Sequence, residues 1–304
     1  MTNDERGDEP LPPKRPRRRA PSVGPAFVAF VVAVALTLTT QLVAGMAIGV
    51  WYVVTGGNAK RLAADLPDLL ADTPIFVALN LVNQLALLAT AIAAARIAPV
   101  RPRGGLGFVR PALTAWGYPV LAIGSLVPLA VGVAGAEAVS LVAPPDETFG
   151  RAFEKVTPVA AVPFVLFIAL VPGLIEEAFF RGYVQRRLLA RWPAWAAIAT
   201  TAGLFGLIHI YPANIVFAFL VGLWLGAVAW RTGSVWPAVL CHASINAASS
   251  VWNLGTRFGV IPADPPNSAM GIGGVLALVC FLASVRLLAR DPSKRAPEAA
   301  QEAG

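Results

Sequence analysis

Residues 159–181 read VAAVPFVLFIALVPGLIEEAFFR, an apolar run that closes on two adjacent glutamates and an arginine, Glu176, Glu177 and Arg181. A helix crossing a bilayer needs about 20 predominantly apolar residues, and this run supplies them. An ionised carboxylate in hydrocarbon costs from roughly 2.5 to over 10 kcal/mol, so charged side chains kept there usually serve a pathway or a reaction. The stretch therefore predicts a membrane helix and marks where chemistry is to be sought.

Composition extends that reading to the whole chain. Of 304 residues, 57% are hydrophobic and 13% charged, where a soluble domain carries about 25% charged residues. The net charge of +7 does not describe a nucleic-acid-binding face, because the basic residues sit at the ends of apolar runs. Cys241 and Cys280 both fall in apolar segments, which excludes a disulfide framework and leaves them as packing residues.

Eight apolar segments are expected, at about 26–53, 75–98, 114–143, 159–181, 194–210, 213–230, 235–253 and 270–289. The fold class is all-α, a multispanning bundle over 24–290. A disordered basic tail over 1–23 precedes it and a disordered tail over 291–304 follows. A cleaved signal peptide is the competing account of the N-terminus, but the run from Pro25 to Val54 is far longer than an apolar signal core of about 7–15 residues. The loop over 55–74 has a weak amphipathic pattern through Leu62, Leu66, Leu69 and Leu70, suited to a helix on the outer membrane surface.

Charge orients the bundle. With the N-terminus inside, the inner segments hold 19 of the 24 Lys and Arg, leaving Lys60, Arg61, Arg151, Lys155 and Arg257 outside. Such a split predicts a plasma-membrane protein with both termini cytoplasmic. Trp51, Trp116, Trp192, Trp195, Trp230, Trp236 and Trp252 lie near the expected helix ends, as an interfacial aromatic belt requires.

Spacing sorts the polar cluster. Glu177 and Arg181 are four apart, share a helix face and can pair. Glu176 is turned by about 100° and is available as a base. A plain ion pair at the membrane boundary would account for Glu177 and Arg181 but not for the second glutamate. The two histidines, His209 and His242, both fall in apolar segments, with Phe205 four residues before one and Asn246 four residues after the other. A His and an Asn on one face can donate to a developing oxyanion. Glu176, His209 and His242 could also supply three ligands to a divalent metal such as zinc, although no zinc-binding sequence pattern is present. Asn80, Asn83 and Gln84 suit hydrogen bonds between helices, and Gly222-x-x-x-Gly226 suits close packing within the chain.

Glu-Glu-x-x-x-Arg, Phe-x-x-x-His and His-x-x-x-Asn, in this order on successive apolar segments, resemble the motif set of the CAAX protease and bacteriocin-processing family, also called the Abi family. Its eukaryotic members are the type II CAAX prenyl endopeptidases. The resemblance places a catalytic core at about 113–253 and implies an intramembrane endopeptidase acting on a peptide or membrane-protein substrate in the bilayer. It implies that Glu176 and His209 activate the attacking water, that His242 and Asn246 stabilise the oxyanion, that Glu177 and Arg181 order the site, and that Phe205 packs beside it. Members are often labelled metalloproteases, and a metal-free glutamate-activated water is also argued. A non-catalytic membrane scaffold or immunity protein of the same fold, and a transporter, are the alternative functional classes.

On eight straight crossings Glu176 falls toward the inner end of its helix and His209 near the outer end of the next, well apart in depth. Extension of the helix inward past Arg181, or a tilt or break such as Pro172-Gly173 would allow, removes this conflict.

Overall fold

The computed structural model describes residues 21–98, 105–111, 113–144, 147–262 and 264–289. Most of the two expected tails, 1–20 and 291–304, lies outside these. The described residues form an all-helical bundle: α1 (Gly24–Val54), α2 (Leu62–Leu70), α3 (Thr73–Ile97), α4 (Gly117–Gly124) with α5 (Leu126–Ser140), α6 (Glu147–Lys155), α7 (Pro158–Glu177), a π-helical segment (Ala178–Gln185) running into α8 (Arg186–Leu189), α9 (Ala194–Leu207), α10 (Pro212–Thr232), α11 (Trp236–Arg257) and α12 (Asn267–Ala289). Prolines open α1, α3, α7, α10 and α11, where the missing N–H would have no helical partner anyway. Gly233, at φ 68°, ends α10 in the left-handed conformation that glycine adopts without penalty.

Among the described residues six helical stretches are long and apolar enough to cross a membrane: 24–54, 73–97, 117–140, 158–189, 212–232 and 267–289. The expected count of eight is therefore approximate. The two remaining segments exist as helices, but α9 has only 14 residues and α11 carries His242, Ser244, Asn246 and further polar residues. Valine and leucine side chains of α1 and α12 face outward, as do Trp51, Trp116, Trp195, Trp230, Trp236 and Trp252. A surface of that kind is made for lipid, and the chain is an integral membrane protein.

The helix through the glutamates does not stop at Arg181. It continues to Leu189, because the basic residues that resemble its solvated end are buried: Arg181 and Arg187 are 1% and 0% exposed. Gly222 and Gly226 of α10 present their carbonyls to Arg181 and Gln185 at 3.0 and 2.9 Å. A Cβ at Gly226 would stand 2.7 Å from Gln185 Oε1 and one at Gly222 3.1 Å from Ala202 and Phe205 of α9, so the glycines let α10 lie close to both neighbours. Arg181 and Arg187 thus report internal packing and carry little weight in orienting a loop.

Extension past Arg181 also removes the depth conflict. Glu176 lies about 13 residues before the α8–α9 turn and His209 about 15 after it, so at ~1.5 Å per residue both stand roughly 20 Å from the turn. On the opposite side α2 forms as a helix and lies against α6, with Arg151 on Asp68 at 3.1 Å and Lys155 on the Asp68 carbonyl. Arg257 closes the end of α11 onto the carbonyls of Phe153 and Val156.

Candidate active site

Glu177 sits at the last turn of α7, one turn before Arg181, and the i,i+4 spacing delivers the expected pair: Arg181 Nη1 donates to Glu177 Oε1 at 2.7 Å. Neither side chain is exposed. Removing two charges from water costs several kcal/mol per ion and is offset only when further hydrogen bonds complete the geometry. Here Arg181 Nη2 reaches the Gly222 carbonyl at 3.0 Å, and its guanidinium lies 4.6 Å from the centroid of the Phe205 ring.

His242, on α11, completes the network. Its Nδ1 lies 3.0 Å from Glu177 Oε1, and a carboxylate with two N–H donors on one oxygen is the acceptor. The imidazole is therefore the donor through Nδ1, which turns Nε2 toward the neighbouring carboxylate, Glu176 Oε2, at 3.8 Å. That separation is too long for a direct hydrogen bond and suits one bridging water. Gly173 eases this approach: a Cβ there would stand 3.3 Å from the Ala243 nitrogen, a tight contact with the α11 backbone.

Glu176 is 7% exposed. Its other oxygen accepts from Gln84 Nε2 of α3 at 2.7 Å. The sequence suits Gln84 to a bond between helices, but nothing in it assigns that bond to a site residue, and Gln84 lies outside the core expected over 113–253. Its only signal in the sequence is a polar side chain inside an apolar segment. Glu177 Oε2 and Gln84 Oε1 have no protein partner among the described residues, so these two buried oxygens keep acceptor capacity for water or for an N–H.

Phe205 is the hub of the remaining contacts. Its ring meets His209 edge-on at 5.1 Å and His242 at 5.8 Å between centroids, and Phe180 at 5.2 Å. The histidine expected within an apolar helix lies instead just past its end, in the turn between α9 and α10. His209 is half-buried, and Nδ1 lies 2.9 Å from the Phe205 carbonyl. A carbonyl can only accept, so Nδ1 carries a proton, and in the neutral ring Nε2 is the acceptor. Beyond it Tyr211 N donates to the His209 carbonyl at 2.7 Å, closing a tight turn around Ile210, whose φ is 64°. A β-branched residue in the left-handed region is strained. His209 is not within ion-pair distance of Glu176; His242 is the imidazole set against the glutamates.

Asn246, one turn beyond His242, donates through Nδ2 to the Ile168 carbonyl of α7 at 3.1 Å. Side chains from α7, the π-helical segment, α11 and the α9–α10 turn are thus gathered in one region: Glu176 and Glu177, Arg181, His242 with Asn246, and His209. Among the described residues no three of His, Cys, Asp and Glu are grouped closely enough to hold a metal ion. The candidate ligands Glu176, His209 and His242 do not converge as a set, so their arrangement does not fit a bound zinc.

Against known proteins, no curated protein and no solved structure gives a significant match to this chain. Residues 158–248 match the family described as type II CAAX prenyl endopeptidase Rce1-like. That match runs from the first residue of α7 to just past Asn246, and so contains every residue of the cluster except Gln84; over 158–248 the chain carries a CAAX-protease-type domain.

Proposed function

We propose that the protein is an intramembrane endopeptidase that hydrolyses a peptide bond in a membrane-associated protein or peptide, with Glu176 as general base. The observation that carries this reading is the placement of Glu176 Oε2 opposite His242 Nε2 at 3.8 Å, both residues buried inside the domain matched to prenyl endopeptidases.

The roles follow from the hydrogen bonds. A water between Glu176 Oε2 and His242 Nε2 attacks the scissile carbonyl carbon while its proton passes to Glu176. Gln84, bound to the other oxygen, keeps that carboxylate from rotating away. In its doubly protonated form His242 donates from Nδ1 to Glu177 and from Nε2 to the oxyanion, joined by the second N–H of Asn246. Glu177 and Arg181 hold His242 in place. Glu176 then returns its proton to the amine as the C–N bond breaks. His209, whose Nδ1 is taken by the Phe205 carbonyl, offers Nε2 to the attacking water from the α9–α10 turn. The catalytic core over 113–253 is thereby supplemented by α3. We assign the protein to the plasma membrane with both termini cytoplasmic, on the support of the charge distribution.

The test is cleavage by purified protein in proteoliposomes, using peptides with prenylated C-terminal CAAX sequences and unmodified membrane-anchored peptides. Wild-type turnover that Glu176→Gln abolishes is expected. Wild-type protein inert toward both classes, or equal turnover by the variant, would overturn the reading.

A further inference from the structure

The α-helical donor for the Ile168 carbonyl would be the N–H of residue 172, and residue 172 is a proline. Proline has no N–H, and it occupies the interior of α7, four residues before Glu176. In lipid an unsatisfied backbone carbonyl is costly, so a neighbour must supply the missing donor. The donor is Asn246 Nδ2, at 3.1 Å. We propose that Pro172 is a positioning residue for Asn246: by leaving the Ile168 carbonyl without its helical partner, it makes the Asn246 hydrogen bond obligatory and fixes the orientation of that side-chain amide.

The consequence reaches the site in two ways. An acceptor in front of the amide settles which end points where. Nδ2, not Oδ1, faces Ile168, so one N–H is held by the helix while its other N–H is left as a donor for the site. An amide turned by half a revolution would present an acceptor instead. The same bond clamps α11 to α7 one turn from His242, on the stretch where Gly173 already brings the two backbones together. Proline and glycine in succession thus play complementary parts: one opens a carbonyl toward α11, and the other removes the side chain that would hold α11 away. His242, four residues before Asn246, is aligned with Glu177 by the same seam.

The hydrogen-bond assignment stands on geometry alone; its catalytic consequence rests on the endopeptidase reading. Both are tested by a cycle of Pro172→Ala, Asn246→Ala and the double variant in the full-length protein. Alanine in place of Pro172 restores the N–H, so removal of the Asn246 amide no longer orphans the carbonyl. Asn246→Ala should therefore lower the melting temperature by several degrees when Pro172 is present and leave it nearly unchanged in the Pro172→Ala background. Equal losses in both backgrounds would overturn the proposal. If Asn246→Ala does not accumulate beside Pro172, its accumulation in the Pro172→Ala background is the same result read by yield, and failure in both is the contradicting one. In turnover, Pro172→Ala should lower kcat by roughly tenfold, part of the 10²–10³ that outright loss of an oxyanion donor costs, with KM little moved. Wild-type kcat in Pro172→Ala would overturn the positioning role. A coupled melting cycle alongside an inert wild-type enzyme would sink the endopeptidase reading and leave the hydrogen-bond assignment intact.

Discussion

Two imidazoles stand against Phe205 and are held in different ways. His242 is buried on the α7–α11 seam, its Nδ1 on a carboxylate that Arg181 also grips. His209 is half-buried in the α9–α10 turn, its Nδ1 on a backbone carbonyl and its neighbour Ile210 strained. Both have Nδ1 committed to an acceptor and Nε2 left for chemistry. The seam is built from buried side chains, whereas the turn is partly exposed and carries a strained residue. The Glu177–Arg181–His242 network of the seam is thereby expected to hold the fold, while Glu176 and His209 are expected to serve only the reaction.

The largest effect should come from the base on the seam. Glu176→Gln preserves shape and the acceptor for Gln84 but cannot take a proton, so kcat should fall by about 10²–10⁴ with the melting curve unmoved. A large loss of stability in the variant would show that Glu176 also holds the fold together. Arg181→Ala is the complementary case. It strips Glu177 of its buried partner, and an uncompensated buried charge costs about 3–5 kcal/mol, so the detergent-solubilised protein should melt markedly earlier. His209→Ala should lower turnover by roughly 10²-fold, the lower part of the usual general-acid–base range, and leave stability nearly intact. Unfolding on that substitution would show that the turn is as structural as the seam. The smallest effect is of opposite sign. Ile210→Gly accepts a φ of 64° freely, so stability should rise by about 1 kcal/mol, measured as a higher melting temperature.

Much of this is legible in sequence, and the reasons differ by feature. Apolar length marks the spans, since hydrocarbon thickness sets a length that a chain shows directly. Glu177 and Arg181 can be paired from spacing alone, because a helix fixes which residues share a face. Depth is misread where burial defies composition. Arg181 looks like the end of a helix, yet the carbonyls of Gly222 and Gly226 accept from Arg181 and Gln185, and the helix runs on to Leu189. Gln84 stands 92 residues from Glu176, and no local pattern joins positions so distant. The orphaned Ile168 carbonyl follows from Pro172 by inspection, but the residue that answers it depends on how α11 lies against α7.

Hydrolysis in this site depends on Glu176 acting as a base within the bilayer. The most direct measurement compares peptide termini, by mass spectrometry, in membranes from cells carrying the wild-type protein and cells carrying Glu176→Gln at equal abundance. A set of new N- and C-termini at membrane-associated peptides should be present with the wild-type protein and missing with the Glu176→Gln variant. Identical termini in both membranes would contradict the assignment of Glu176 as the base.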